Sequence, residues 1–142
     1  MSEKTLVLLR IAVSLLTIVV TILTRYQFEG NLFITSLGFF LMFVGFLLYI
    51  VGEISLKGHF NPFFEPKDLI TTGIYSKTRH PIYIGLIFIC FGFNLFLESN
   101  FGLFLTLIVL LPLLFYTRII EEYNLEKKFG DRYLKYRKTT FF

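Results

Sequence analysis

Two short polar clusters stand at the ends of long apolar segments. Arg79 and His80 directly precede Pro81 and a long uncharged segment, and Glu121 with Glu122 follows another apolar segment. Proline suits the first turn of a helix, because its missing N–H would have no partner there. The free N–H groups of that turn, with a guanidinium and an imidazole, make an electropositive position that can hold a carboxylate or a phosphate. A glutamate pair can accept hydrogen bonds from ribose hydroxyls or pair with an ammonium group.

Two tyrosines flank the first cluster and widen its chemistry. Tyr75 and Tyr83 offer aromatic faces with hydroxyl groups, which suit a purine ring or a sulfonium cation. A ligand with an anionic end, a cationic end, a ribose and an adenine would use this whole inventory, and S-adenosylmethionine is such a ligand. Taken singly, each group also has an ordinary explanation: a positive boundary residue, an interfacial histidine, interfacial tyrosines and a solvated glutamate pair.

The composition indicates that a bilayer surrounds the elements that carry these clusters. The chain has 142 residues, of which 55% are hydrophobic, and its mean hydropathy is +0.69. A chain of this length cannot bury so much apolar surface in a water-soluble core. Each of four stretches has at most one charge and approaches the length of a membrane-spanning helix; they are 6–23, 32–51, 82–97 and 101–117. Pro112 is expected to kink the last of them.

The basic residues predict the orientation of these spans. With four spans, both termini and the 52–81 connection lie on one side, while Arg25 is the one basic residue on the other side. The positive-inside rule then predicts that the termini and the polar clusters are cytoplasmic. We expect the net charge of +4 to serve contacts with membrane lipids rather than nucleic acid, because no soluble basic face is evident.

The third and fourth spans form a tight antiparallel hairpin, because only the sequence ESN separates them. A chain that crosses and returns brings the two polar clusters side by side at one membrane face. The predicted fold is therefore an all-α integral membrane protein with about four transmembrane helices, this hairpin and a cytoplasmic amphipathic C-terminal helix that Gly130 interrupts. We expect one domain over 1–142, with N-terminal spans in 1–58 and the cofactor-binding core in 59–142.

Three glycines in the second span recur at seven-residue spacing. Gly38, Gly45 and Gly52 share one helical face, which favours close helix packing over a ligand groove. By contrast, the 53–81 connection contains Pro62 and Pro66, which argue against a regular helix there. A connection of this length within a compact domain is more often functional than idle.

Several other site chemistries find no support in the sequence. His59, His80 and the single cysteine, Cys90, do not have the spacing of a zinc site. A single cysteine also excludes an internal disulfide. Because no zinc-type spacing occurs, we expect no metal. No glycine-rich phosphate loop or nucleophile motif occurs either.

Two longer motifs contain the polar clusters: DLITTGIYSKTRHPIYIG before the hairpin and EEYNLEKKFGDRYLKYRK after it. In this order they resemble the isoprenylcysteine carboxyl methyltransferase and phospholipid methyltransferase group of integral membrane methyltransferases, and the resemblance covers roughly residues 59–138. It implies an S-adenosylmethionine-dependent methyltransferase. Its cofactor would lie in a cytoplasmic pocket between the long connection, the start of the third span and the end of the fourth.

The resemblance further implies which residues contact the cofactor. A strand-like stretch at 67–70 would contribute partly through its backbone, His80 would meet the methionine carboxylate, and Glu121 matches the first glutamate of the family motif. The expected cofactor-binding residues are Lys67, Asp68, Leu69, Ile70, Tyr75, Arg79, His80, Pro81, Ile82, Tyr83, Glu121 and Glu122. No residue is assigned as a general base.

One departure from the family pattern leaves the methyl acceptor open. Thr117 stands where isoprenylcysteine enzymes are expected to have an arginine for the substrate carboxylate, and Arg118 follows one residue later. One residue rotates a helical side chain by about 100°. Arg118 remains a candidate substrate-binding residue, and the acceptor is expected to be lipid-like or prenylcysteine-like. A membrane NADPH-dependent reductase related to sterol reductases and a non-enzymatic four-helix membrane protein are the alternatives.

Overall fold

Four apolar helices account for most of the described chain. The computed structural model describes residues 3–25, 30–56 and 68–142. Its long helices are α1 (Glu3–Leu23), α2 (Leu32–Leu56), α3 (Pro81–Phe96) and α4 (Asn100–Phe129), and its shorter elements are a 3₁₀ turn (Gly73–Ser76) and α5 (Asp131–Thr139). No strand occurs within the described ranges, which confirms the all-α prediction. Residues 68–70, expected to be strand-like, are irregular and have no pairing strand.

The helices have the lengths and surfaces of membrane-spanning elements. By length and composition, α1, α2 and α4 can each cross a membrane, while α3 is a shorter apolar helix of 16 residues. Large apolar side chains point outward from α2, among them Phe39, Phe40, Phe43 and Phe46. A continuous exposed apolar surface of this kind needs a lipid or protein environment, which supports the predicted membrane architecture.

Helix α3 occupies the centre, with α2 along one side and α1 and α4 against it elsewhere. The glycines predicted to pack closely do so, because Gly38, Gly45 and Gly52 are all buried against α3. A Cβ on Gly45 would lie 2.7 Å from the carbonyl oxygen of Gly85. The absence of side chains therefore sets the distance between α2 and α3.

The turn between α3 and α4 is fixed by buried polar groups. The hydroxyl of Ser99 caps α4 by accepting from the N–H of Gly102 at 3.0 Å. Asn94 of α3 is fully buried; its amide donates to the Thr106 hydroxyl of α4 at 2.7 Å and accepts from the Thr21 hydroxyl of α1. Buried polar groups need such partners, so this network sets the register of three helices at the end opposite the polar clusters.

Helix α4 continues farther than the sequence analysis indicated. The sequence analysis ends the fourth span at 117 and predicts a separate amphipathic helix after it. In the structure α4 continues without a break to Phe129. No helix-breaking residue lies between these two positions, and Gly130 is the first to leave helical geometry, with φ +52°. Before Pro112, a π-helical turn over Thr106–Leu110 accommodates the expected irregularity, since π-turns and prolines are common causes of bends.

Replacing Gly45 by leucine should destabilise the fold, because the new side chain would collide with the backbone of α3. Overpacking of this kind costs about 1–3 kcal/mol. Thermal unfolding in detergent measures the loss. Ser36→Leu, a small-to-large change on the exposed face of the same helix, is the matched control, and equal melting temperatures for the two variants would contradict the packing described.

Candidate active site

Glu122 joins the two polar clusters that the hairpin brings together. Its Oε1 accepts from Arg79 Nε at 3.0 Å, lies 3.1 Å from His80 Nε2, and accepts from Arg118 Nε at 3.1 Å. The Glu122 side chain is 12% exposed and that of Arg79 is 9% exposed. Charge-assisted hydrogen bonds in such a setting are short and strong, so this carboxylate ties the start of α3 to α4.

Glu121, its neighbour, has a different environment. Its Oε2 accepts from the Tyr83 hydroxyl at 2.7 Å and lies 3.6 Å from His80 Nδ1. The side chain remains 34% exposed and lines a cavity. A carboxylate has room for about four hydrogen bonds, so Glu121 keeps acceptor capacity for a ligand, whereas Glu122 is occupied by three basic side chains.

Tyr83 of α3 contacts two other helices, α4 through Glu121 and α1 through Arg10. Its ring stacks on His80 with centroids 5.3 Å apart and planes within 5°. Arg10 of α1 donates to the Tyr83 hydroxyl and lies 4.9 Å above the ring centroid. The first helix thus reaches the site through an arginine–tyrosine contact, a cation–π arrangement that is favourable within about 6 Å.

The cavity beside these groups has a volume of about 410 Å³, within the range of roughly 300–1,000 Å³ that is typical of small-molecule sites. All four long helices, α5 and the 68–75 segment contribute to its wall. Most of the expected cofactor-binding residues line it: Asp68, Leu69, Ile70, Tyr75, Arg79, His80, Ile82, Tyr83 and Glu121.

Four expected site residues are not in the described wall. Pro81 is buried in the first turn of α3 beside Gly52, and Glu122 is held in its ion pairs. Arg118 binds Glu122 and lies 4.2 Å above the Phe142 ring. Lys67 lies outside the described residues, as does His59.

The C-terminal segment accepts further hydrogen bonds from Arg79. Its Nη1 donates to the carbonyl oxygen of Thr140 at 2.7 Å and to that of Arg137 at 3.3 Å, and its backbone N–H donates to the Phe142 oxygen at 2.7 Å. Thr78 forms a parallel bridge to Phe141. Arg79 therefore binds the C-terminal segment as well as α4, which gives it a structural role at the cavity edge.

Three buried tyrosines line the cavity: Tyr75, Tyr133 and Tyr136. The Tyr136 hydroxyl donates to the Tyr75 carbonyl oxygen at 2.7 Å, while the fully buried Tyr133 hydroxyl has no partner among the described residues. Burial, helped by the charge of Glu122, raises the pKa of Tyr133 to about 12, and burial raises the pKa of Tyr136 to about 12. Burial and then Glu121 raise the pKa of Tyr75 well above its usual range. These hydroxyls stay protonated at neutral pH and act as donors rather than bases.

The sequence analysis missed the cavity residues from the first two helices and from α5. These are chiefly Arg10, Ser14, Tyr49, Glu53, Tyr133 and Tyr136. One signal was available, since a lone arginine in an apolar span is by default a functional candidate. The predicted amphipathic C-terminal helix gave no indication that Tyr133 and Tyr136 are buried, and the Tyr136 hydroxyl bonds to the 3₁₀ turn. Within the described ranges, no group of three or more His, Cys, Asp or Glu side chains could hold a metal ion.

Comparison with known proteins extends the resemblance to the first two helices. A model of the phospholipid methyltransferase family matches residues 9–132. This range contains Arg10, Ser14 and the cavity-lining part of α2, about which the sequence motifs said nothing. Neither a curated protein nor a solved structure matches the chain. Because the family match covers most of the chain and both polar clusters, the chain belongs to the phospholipid methyltransferase family.

Proposed function

We propose that this protein transfers the methyl group of S-adenosylmethionine to a lipid-like or prenylcysteine-like acceptor at the cytoplasmic face of the membrane. The observation that carries the proposal is the cavity between the hairpin and the first two helices. Both polar and apolar side chains line it. The polar ones include Glu121 and Asp68, and the apolar ones include Val7, Ile11 and Leu86. Such a wall suits a water-soluble donor that meets a membrane-soluble acceptor.

The residues present fit S-adenosylmethionine. Two buried hydroxyl oxygens on the cavity wall, Ser14 Oγ and the Tyr133 hydroxyl, have no partner among the described residues. Buried polar atoms normally have partners, and a polar ligand would supply them. Glu121 offers acceptor oxygens for ribose hydroxyls or an ammonium group, and the ring of Tyr75 offers a face for the adenine or the sulfonium.

When bound, S-adenosylmethionine supplies an electrophilic methyl group on a sulfonium whose leaving group is a neutral thioether. The chain positions the donor and the acceptor and excludes water from the reacting atoms, rather than supplying strong acid–base chemistry. His80 stacks on Tyr83 and lies between the two glutamates, which fixes the orientation of both rings. The protonated tyrosines donate hydrogen bonds. Glu121 is the described carboxylate best placed to take a proton if the acceptor is an amine or a thiol.

The cytoplasmic assignment rests on charge. The cavity lies at the end of the bundle that holds Lys77, Arg79, Arg118 and the basic α5, whereas the turn at Glu98 lies at the other end. The positive-inside rule favours the basic end as the cytoplasmic one.

Glu121→Gln should weaken binding of S-adenosylhomocysteine about tenfold or more with little change in melting temperature, because a hydrogen bond to a charged group is worth about 1.5–3 kcal/mol. Glu122→Gln should instead lower stability by about 3 kcal/mol, because it leaves buried basic groups unpaired. Calorimetry and thermal unfolding in detergent separate the two effects.

Glu126→Gln is the matched control for this pair. Glu126 is 45% exposed and pairs with Arg137 at 3.4 Å on the surface, and such surface pairs contribute little. Full affinity in Glu121→Gln would contradict the proposed site, and absence of binding by the unaltered protein would contradict the proposed function.

Sealed membrane vesicles of opposite orientation should differ in methyl transfer. With radiolabelled S-adenosylmethionine outside, inside-out vesicles should label a lipid-extractable product and right-side-out vesicles should not, because the charged donor does not cross the bilayer. Glu121→Gln vesicles give the background. Labelling only from the extracellular side would contradict the membrane face, and no labelling of either total lipid or an added prenylcysteine analogue would contradict the activity.

A further inference from the structure

Helix α1 contributes two polar side chains to the cavity wall, Arg10 and Ser14. They are four residues apart, so they lie one above the other on the same helical face. Neither belongs to the motifs that suggested a cofactor site, and the rest of α1 near them is apolar.

Ser14 differs from the three threonines that follow it. Thr17 and Thr21 of α1, and Thr24 just after its end, each donate to the carbonyl oxygen four residues earlier, at 2.9, 2.7 and 2.7 Å. Ser14 Oγ makes no such bond, although it is buried and has no partner among the described residues. Small hydroxyl side chains inside helices normally bond back to the backbone, so a ligand in the cavity is the natural partner for this oxygen.

Arg10 is the cavity-lining arginine for which the structure shows no ion pair among the described residues. Arg79 also lines the cavity, but its guanidinium binds Glu122 and the C-terminal carbonyl oxygens. The partner that the structure gives Arg10 is the neutral hydroxyl of Tyr83. A guanidinium has five N–H donors in a planar fork that matches carboxylate and phosphate oxygens.

We propose that Arg10 and Ser14 form an oxyanion-binding subsite in the cavity. This inference rests on the proposed function and deepens it, because the oxyanion is either the methionine carboxylate of the methyl donor or a phosphate of the lipid acceptor. The other charged side chains on the wall are Glu53, Asp68 and Glu121 beside the engaged Arg79. The three carboxylates repel an anion and attract a cation. The subsite at Arg10 therefore suits the anionic end of a ligand that also carries a positive charge.

Arg10→Gln tests this subsite with two probes. S-adenosylhomocysteine carries the carboxylate, whereas methylthioadenosine keeps the adenosine and the thioether but lacks the amino-acid part. If the donor supplies the oxyanion, the variant should bind S-adenosylhomocysteine about 10- to 100-fold more weakly and bind methylthioadenosine with unchanged affinity. If the acceptor supplies it, both affinities should be unchanged and the KM for a phospholipid acceptor should rise by a similar factor.

Ser14→Ala should show the same pattern with a smaller loss, about threefold to tenfold. Its melting temperature should be unchanged, because Ser14 Oγ has no partner to lose among the described residues. Arg10→Lys keeps the charge without the fork and should fall between Arg10→Gln and the unaltered protein. Arg25→Gln, two residues beyond the end of α1, is the control that removes an arginine outside the cavity.

Two results would overturn the subsite. Equal losses for both nucleoside probes in Arg10→Gln would show that Arg10 acts on the whole site by holding Tyr83. No change in either affinity or in the acceptor KM would show that it binds no ligand. In both cases the unaltered protein still binds S-adenosylhomocysteine, which separates this failure from failure of the proposed function.

Discussion

The shared carboxylate of Glu122 is the interaction on which the site depends. Arg79, His80 and Arg118 converge on one oxygen within 3.0 to 3.1 Å. Two of these residues precede α3 and one lies on α4, so the ion pairs form only if the chain returns to the end from which it left. The buried Asn94 network at the opposite end makes this return possible, because it fixes the turn and the register of α1, α3 and α4.

Neighbouring residues of the same type divide structural and chemical roles. Glu122 is enclosed by basic side chains, while Glu121 faces the cavity with acceptor capacity left. Arg79 is occupied by Glu122 and the C-terminal segment, while Arg10 reaches the cavity from α1. An engaged ionic cluster can thus hold a second, open set of polar groups rigidly beside it, as a preorganised binding site requires.

The parts that the sequence predicted are those with a local physical signal. Pro81 marked the start of α3, the three glycines of α2 marked a close helix contact, and the three-residue connection forced the hairpin. The missed parts depend on contacts between distant segments. Arg10 contacts Tyr83, which lies 73 residues away in the sequence. The acceptors of Arg79 in the C-terminal segment are largely backbone carbonyl oxygens, which the residue types do not reveal. The length of α4 was underestimated because charged residues after Thr117 resembled a solvated tail, whereas helical geometry continues until a residue stops it.

The central claim is that one cavity, walled by the hairpin and the first two helices, holds the methyl donor. An experimental structure with S-adenosylhomocysteine bound tests it most directly. The account predicts the ligand inside this cavity, within hydrogen-bonding distance of the Glu121 carboxylate and the Tyr133 hydroxyl. A ligand bound elsewhere on the protein, with this cavity filled only by side chains or lipid, would contradict it.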